Sequence, residues 1–395
     1  MTQAPKKPDL IIDDDDRYSR LRLIGWWDQS KLAAARVLVV GAGALGNEVL
    51  KNLALVGIGT IHLIDFDTIN HSNLSRSVLF RAEDAGKSKA EVAADYVRQL
   101  NLDCKIFASN GDVMADVGLG LVRDVEVVIC CVDNREARLW INRMCWKVGT
   151  PWIDGGIQEI NGVAKVFSPA EGACYECAMT ERDYQLIQLR YSCPLLKLEE
   201  MQQGKVPTAP TIASIVGGLQ SQEALKLIHG LDTEPGSAMV FNGVTNQFYK
   251  TKYPYREDCL SHEYYEELSD LELSAGKTTV ADLFAAVEQK TGAAAEAIEL
   301  DRDFLTKLTC KNCEKQVEVN EPRSSVNMSR AICESCSEVM SLETMHEVAK
   351  DSEDALAGRT LAEIGIPPYD IVKVRTNVGR EFVLLAGDRQ DTLRV

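Results

Sequence analysis

The chain has 395 residues, of which 45% are apolar and 26% charged, and its formal net charge is −16 at pH 7. The length predicts two or three domains, and the negative charge argues against nucleic acid as a main partner and favours protein partners. No stretch approaches the about 20 apolar residues of a membrane span, and the first residues lack the apolar run of a secretory signal, so we expect a cytoplasmic protein without membrane association.

The chain opens with a polar segment that ends in four aspartates, which predicts a disordered acidic tail over residues 1–16. A first domain is then predicted over residues 17–265. Its first elements are strands at 37–40, 60–65, 104–109, 126–131 and 151–154, with helices at 44–56, 87–100 and 135–148. Strands separated by helices of this length predict right-handed crossovers and an α/β, Rossmann-like, mostly parallel sheet.

The rest of the first domain is predicted to add a strand at 162–168 and a buried helix at 208–229. The segment between them is polar and has few periodic apolar positions. We therefore predict a long crossover loop over residues 181–207, and loops of that length are usually functional or mobile.

A shift toward acidic residues and alanine marks a boundary near 260–275, after which a smaller α+β domain is predicted over residues 275–395. Its clearest elements are an amphipathic helix at 278–290 and a hairpin of strands 371–375 and 381–385. A zinc ribbon is predicted within it, at residues 308–338.

The zinc ribbon is predicted from two C-x-x-C pairs, Cys310 with Cys313 and Cys333 with Cys336. This spacing is typical of a structural Zn²⁺ site, which can fold a segment that has little core. The alternative, a redox dithiol, requires an accessible cysteine of low pKa, and the sequence gives no sign of one.

A glycine turn follows the first predicted strand and contains Gly41, Gly43 and Gly46. Such a turn lets the backbone approach phosphate, and the helix after it offers free N–H groups to negative charge. Asp65 ends the next strand, where its carboxylate can accept hydrogen bonds from both ribose hydroxyls. The turn alone does not separate ATP from a nicotinamide cofactor, because dehydrogenases and methyltransferases share it.

Downstream charges fit a triphosphate better than a nicotinamide. Arg76 and Lys89 can neutralise phosphate oxygens, and Asp133 lies at the carboxyl end of another predicted strand, where a carboxylate suits Mg²⁺. The alternative role for Asp133 is the N-cap of the following helix. These residues predict adenylation chemistry.

Seven motifs occur in a fixed order: RYSR at 17–20, GAGALG at 41–46, DFD at 65–67, SNLSR at 72–76, GKSK at 86–89, DN at 133–134 and CYEC at 174–177. Together they resemble the ubiquitin-activating adenylyltransferases of the ThiF, MoeB and E1 superfamily, which include the bacterial activators of the sulfur carriers of molybdopterin and thiamine synthesis. The resemblance covers residues 17–255.

The resemblance implies an ATP and magnesium site. Its nucleotide-binding residues would be the three glycines with Asp65, Asp67, Asn73, Arg76, Lys89 and Asp133. Asp65 would hold the ribose and Asp133 the Mg²⁺. Arg20 would reach the phosphates of the other subunit as an arginine finger, which implies a homodimer; its alternative is a surface arginine.

The resemblance also implies a second zinc site and a nucleophile. The family supplies a further pair of ligands after the last strand of the domain, so Cys174 and Cys177 would share a zinc ion with Cys259 and His262. In relatives that pass their cargo on, a crossover-loop cysteine attacks the acyl adenylate. Cys193 is the candidate here, and its alternative is an incidental exposed cysteine.

We therefore predict an enzyme that adenylates the C-terminal glycine of a ubiquitin-like protein, forms a thioester on Cys193 and transfers the cargo to a conjugating enzyme. Residues 278–290 and 357–367 resemble parts of a ubiquitin-like β-grasp, which would recruit that enzyme, and the alternative is an unrelated small α+β domain. The alternative is a sulfur-carrier adenylyltransferase without a thioester relay. A nicotinamide-dependent oxidoreductase and an inactive partner subunit are further alternatives.

Overall fold

The computed structural model describes residues 16–192, 207–351 and 356–394, so the tail predicted over residues 1–16 lies outside this range except for its last residue. Two sheets organise the described residues. The strands of the first sheet are β1 Arg36–Val40, β2 Thr60–Ile64, β3 Lys105–Ser109, β4 Val127–Cys130, β5 Trp152–Gln158, β6 Asn161–Phe167, β7 Ser237–Asn242 and β8 Gln247–Lys252. Their order is β3-β2-β1-β4-β5-β6-β7-β8.

The strands β1 to β5 pair in parallel, whereas β6, β7 and β8 extend the sheet antiparallel. The α/β, Rossmann-like prediction is confirmed. The strand order changes direction between β1 and β4, and in such sheets ligands bind beyond the carboxyl ends of the strands at that point. The strands β7 and β8 were not predicted.

Helices cover both faces of the first sheet. They are α1 Gln29–Ala34, α2 Ala44–Val56, α3 Lys89–Leu100, α4 Val113–Asp116, α5 Leu119–Arg123, α6 Arg135–Val148, α7 Glu181–Ser192 and α8 Pro210–His229. Successive residues of β1 enter different apolar clusters: Val37 and Val39 pack with α2, α3 and α8, whereas Leu38 and Val40 pack with α5 and α6. Burial on both faces explains why these strands read as continuous apolar runs.

The segment predicted as a crossover loop over residues 181–207 begins with helix α7, so its first half differs from the prediction. The backbone N–H of Thr180 donates to Asp183 at 2.9 Å, as in a capped helix start. Ile187 packs with Leu139 and Met179 in a small apolar cluster. Tertiary packing thus stabilises a helix whose own apolar pattern is weak.

The second sheet contains β9 Ser269–Leu271, β10 Ala295–Cys310, β11 Gln316–Pro322, β12 Met340–Ala349, β13 Ile371–Thr376 and β14 Gly379–Leu385, with helices α9 Val280–Thr291 and α10 Arg389–Leu393. Its order is β11-β10-β13-β14-β9, and β12 also pairs with β10. The predicted hairpin is confirmed as β13 and β14, with Thr376 opposite Gly379. The long strand β10 and its partners β11 and β12 were not predicted.

The two sheets share an apolar cluster and a set of polar contacts. Tyr369, which has a φ of 56° and is fully buried, donates its hydroxyl to Asp124 at 2.8 Å. The neighbouring Asp370 accepts from the backbone N–H of Leu119 at 2.7 Å and pairs with Arg302 at the same distance. The second sheet is therefore fastened to the start of α5.

None of the helices in the described ranges has the length and apolar character that a bilayer span requires.

Candidate functional site

The glycine turn joins β1 to α2 and cannot accept side chains at two of its positions. Gly41 has a φ of +97°, and a Cβ there would lie 2.8 Å from the carbonyl oxygen of Cys131. A Cβ at Gly46 would collide with the carbonyl oxygen of Gly41. Gly43, the N-cap of α2, instead faces open space, because nothing lies within 4 Å of its Cβ position. The turn therefore leaves room for an anion at the start of α2.

Asp65, at the end of β2, binds this turn directly. Its Oδ2 accepts from the backbone N–H of Ala42 at 2.7 Å, and its Oδ1 accepts from the backbone N–H of Asp67 at 2.8 Å. Burial raises the pKa of Asp65, and these hydrogen bonds together with Lys89 oppose that rise. The Lys89 ammonium pairs with Asp67 at 2.7 Å. The structure thus brings Asp65, Asp67 and Lys89 together beside the glycine turn.

The segment after β2 carries the other predicted triphosphate contacts. Asn73 accepts from the backbone N–H of Asn70 at 2.9 Å, and the half-buried Arg76 donates to the carbonyl of Ser72 at 2.9 Å. Asn47 of α2 accepts from the backbone N–H of Leu79 at 2.8 Å, which returns this segment to the start of α2. Asn73 and Arg76 therefore belong to a structured loop over the crevice.

Asp133 follows β4, next to the glycine turn, and its side chain is exposed. Its carboxylate makes no ion pair or hydrogen bond with the residues the structure describes, and the N-cap of α6 is Asn134, which accepts from the N–H of Ala137 at 2.8 Å. The N-cap alternative for Asp133 is therefore wrong. A free carboxylate at this edge fits a divalent cation.

Beneath Asp133 lies a buried charge cluster that the sequence analysis missed. Asp154, which is 1% exposed, pairs with Arg138 at 2.8 Å and with Lys165 at 3.0 Å. Burial alone would raise the pKa of Asp154, but these two cations hold it below its usual range. Arg138 also donates to the carbonyls of Val132 at 2.7 Å and Gly155 at 3.0 Å. The position of Asp154 at the end of a predicted strand was the signal available in the sequence.

Of the two remaining predicted catalytic residues, Arg20 is not brought to this crevice. Arg20 is exposed and lies two residues after Tyr18, whose ring packs against Gly57 at the end of α2 and whose hydroxyl bonds Asn101 after α3. Those helix ends lie at the opposite edge of the sheet from Gly41. Cys193 lies outside the described residues.

The first predicted zinc group is assembled from two loops, one after β6 and one after β8. The ligand atoms of Cys174, Cys177, Cys259 and His262 all lie within 4.8 Å of one another. The Sγ of Cys174 is 3.5 Å from that of Cys259, and the Sγ of Cys177 is 3.4 Å from Nε2 of His262. A tetrahedral zinc site separates its sulfurs by about 3.8 Å, so these residues fit the ion, whereas a disulfide requires about 2.05 Å. We call them the first cluster.

Neighbouring side chains fix the first cluster. His262 is stacked between Trp146, at a centroid distance of 4.2 Å, and Tyr255, at 4.8 Å. Glu176 is 1% exposed and pairs with Arg143 at 2.7 Å. Although burial would raise the pKa of Glu176, the hydrogen bonds from Arg143 and Ser261 hold it below its ordinary value. The loops that carry the ligands are thus tied to α6.

The second cluster, Cys310, Cys313, Cys333 and Cys336, joins the end of β10 to the turn before β12, again with ligand atoms within 4.8 Å of one another. Backbone hydrogen bonding from Ser335 lowers the pKa of Cys333 to about 6, but Cys333 is 1% exposed. The backbone N–H of Lys315 lowers the pKa of the exposed Cys313, but hydrogen bonding with Cys333 and Cys310 outweighs this and raises that pKa to about 12. The Sγ atoms of Cys310 and Cys336 and those of Cys313 and Cys333 are each 3.5 Å apart, so all four sulfurs converge as around one zinc ion, which favours a structural zinc site over a redox dithiol.

Comparisons with known proteins match the first sheet. The model of the ThiF family matches residues 16–261. The chain is 43% identical over 161 residues to the NEDD8-activating enzyme E1 catalytic subunit of Caenorhabditis elegans, covering 38% of this chain and 37% of that protein. It is 33% identical over 263 residues to the adenylyltransferase and sulfurtransferase MOCS3 of Mus musculus, covering 65% of this chain and 55% of that protein.

A shorter relative is matched over most of its length. The chain is 30% identical over 236 residues to the sulfur carrier protein ThiS adenylyltransferase of Escherichia coli K12, covering 59% of this chain and 88% of that protein. The chain therefore spans less than two thirds of the first two relatives but most of the third. The crystal structure of E. coli MccB with ATP has a TM-score of 0.52 and 22% identity, covers 63% of this chain and 74% of that one, and shows a shared fold.

Proposed function

Because the chain belongs to the ThiF family, whose model matches residues 16–261, we propose that it adenylates the C-terminal glycine of a ubiquitin-like protein. The names of its relatives, activating enzymes and adenylyltransferases, support ATP-dependent adenylation as the reaction class. In the proposed reaction, a carboxylate oxygen of the glycine forms a bond to the α-phosphorus of ATP. The bond from that phosphorus to the bridging oxygen breaks, and pyrophosphate leaves.

The observation that carries this proposal is the crevice beyond β1 and β4. The open space at Gly43, the exposed carboxylate of Asp133 and the Lys89–Asp67 pair lie at one edge of the sheet. Two anions, the glycine carboxylate and the triphosphate, must approach each other there, and fixed positive charge lowers the barrier to that approach. Lys89 can move from Asp67 to phosphate, and Arg76 is half-buried in the loop that follows β2.

Each residue then has a proposed role. Asp65 holds the ribose, Asn73, Arg76 and Lys89 contact the triphosphate, and Asp133 binds Mg²⁺, which supplies charge neutralisation when bound. Replacing Asp133 or Arg76 by alanine should reduce ATP–pyrophosphate exchange at least about 100-fold, because the first removes the ligand that would hold Mg²⁺ and the second removes a positive charge from the reacting phosphates. Arg380→Ala, at an exposed arginine on β14, is the control. Full exchange activity in the Arg76 and Asp133 variants would contradict the proposal.

We further propose that Cys193 attacks the acyl adenylate, so that a thioester forms and AMP leaves, and that a conjugating enzyme then binds the second sheet domain, residues 275–395. The presence of a second domain beyond the adenylation domain, residues 17–265, supports this relay. Cys193→Ser should abolish a reducible adduct with the ubiquitin-like protein while pyrophosphate exchange persists. An adduct that survives in this variant would overturn the assignment.

A second candidate function is activation of a sulfur carrier without a thioester relay. The matches to MOCS3 and to the ThiS adenylyltransferase extend over 65% and 59% of this chain, compared with 38% for the NEDD8-activating subunit, and favour this candidate. Under it, wild-type protein forms the acyl adenylate but no reducible adduct, and an added sulfur donor consumes the adenylate.

We propose that Arg20 acts in a homodimer, on the nucleotide of the second copy. Its place at the edge opposite Gly41 supports a role in a neighbouring subunit. Arg20→Ala and Asp133→Ala should each be inactive, but their mixture should recover about a quarter of wild-type exchange, because half of the dimers are mixed and each has one complete site. A mixture as inactive as its components would contradict this role.

A further inference from the structure

One face of α6 connects the nucleotide crevice to the first cluster. Arg138, Asn142 and Trp146 are spaced four residues apart and therefore lie on the same side of the helix. Arg138 bonds the carbonyl of Val132 beside the crevice, and Trp146 stacks on His262 of the first cluster. Asn142 lies between them.

The amide of Asn142 is fully buried, and only half of its hydrogen-bonding capacity is used. Its Oδ1 accepts from the backbone N–H of Tyr175 at 3.0 Å. Because that partner is a donor, the atom facing it must be the amide oxygen, which fixes the orientation of the Asn142 side chain. The Nδ2 group has no hydrogen-bond partner within residues 16–192, 207–351 and 356–394.

The residue next to Tyr175 is Cys174, whose thiol is also fully buried. Asn142 accepts from the backbone of the residue that follows Cys174, and Trp146, one turn further along α6, packs in the same apolar cluster as Cys174, so the amide lies close to this cysteine. A neutral thiol is a weak acceptor, whereas a thiolate accepts hydrogen bonds well, and zinc ligation requires the thiolate. Zinc binding would therefore supply the acceptor that the buried N–H lacks.

We propose that Asn142 is a positioning residue for the first cluster, whose Nδ2 donates a hydrogen bond to the sulfur of Cys174 when that sulfur is a zinc ligand. This inference rests on zinc occupancy of the first cluster. Hydrogen bonds of this kind orient metal ligands, and their loss typically weakens metal affinity by about 10- to 100-fold.

The test uses the full chain and measures zinc affinity by competition with a chromophoric chelator. Asn142→Asp keeps the size and the acceptor for Tyr175 but removes the donor. Asn142→Leu removes both the donor and the acceptor and buries no charge. In both variants, one of the two zinc ions should be held about 10- to 100-fold more weakly, whereas the ion in the second cluster should be unchanged. In Co²⁺-substituted protein, the sulfur-to-metal charge-transfer band of the weakened site should shift.

The control is Asn101→Asp, at a buried asparagine that donates to the carbonyl of Ala54 and touches neither cluster. It should destabilise the fold without changing zinc affinity. The proposal is overturned if both Asn142 variants keep two ions at wild-type affinity with an unshifted band, or if both sites weaken equally as in a general loss of stability. Wild-type protein that holds a single zinc ion, unaffected by Cys259→Ser, would instead refute zinc in the first cluster itself.

Discussion

Replacing Arg138 by lysine tests whether the buried guanidinium organises the crevice. Arg138 contacts Asp154 at 2.8 Å and the carbonyls of Val132 and Gly155 at 2.7 and 3.0 Å. Lysine keeps the positive charge beside Asp154, but its single nitrogen cannot hold three acceptors arranged for a planar fork. Two charge-assisted hydrogen bonds of about 1.5–3 kcal/mol each are lost, so the free energy of unfolding should fall by about 3–6 kcal/mol.

Urea unfolding followed by circular dichroism measures this loss of stability. Calorimetric titration with MgATP measures the affinity of the crevice for the nucleotide. Because Val132 precedes Asp133, nucleotide affinity should fall as well. The matched control is Arg380→Lys, at an arginine whose side chain is 56% exposed and which pairs with Glu299, and it should stay within about 0.5 kcal/mol of wild type. Arg138→Lys protein that unfolds at the wild-type urea concentration would refute the reasoning.

Two further predictions concern stability. Burial lowers the pKa of His62 from 6.5 to about 4. Between these pH values, the His62 side chain is mostly protonated in the unfolded chain and mostly neutral in the folded protein. As the pH falls from 6.5 to 4, wild type should lose up to about 3 kcal/mol more stability than His62→Leu; equal losses would contradict this. Tyr369→Ala should lower the free energy of unfolding in urea by about 3–5 kcal/mol, because it leaves a cavity at a fully buried position. Tyr249→Ala, at a ring that is 54% exposed, should leave the free energy of unfolding nearly unchanged. Similar midpoints for these two tyrosine variants would show that Tyr369 does not fasten the sheets.

The parallel half of the first sheet could be predicted because its signals are local. Helix α2, for example, was predicted at its observed bounds, 44–56, since the glycines at its two ends mark where it begins and stops. Strand β10 could not be predicted in this way. It carries charged residues at 301–303 and changes register there, so its apolar alternation is interrupted, and two of its pairing partners, β12 and β13, are distant in sequence.

The same difference between local and long-range signals decides which parts of the candidate site could be predicted. The four cysteines of the second cluster were predicted from C-x-x-C spacing, which is a local signal, and the four residues of the first cluster were predicted from the family resemblance. The structure brings each group of four together. The contacts of Arg138 with Gly155 and of Asn142 with Tyr175 join residues far apart in the sequence. From the sequence alone, polar residues at these helix positions predict a partly solvent-exposed face, because the loops that cover it are not known. Such contacts follow only from the tertiary structure.

The apolar cluster shared by the two sheets also has a consequence for biosynthesis. Leu38 and Val40 of β1 lie in the same cluster as Leu384 and Leu393. A ribosome needs on the order of tens of seconds to proceed from the former to the latter. During that interval, one side of the nascent Rossmann unit lacks part of its apolar cover, so chaperone engagement is expected of this chain.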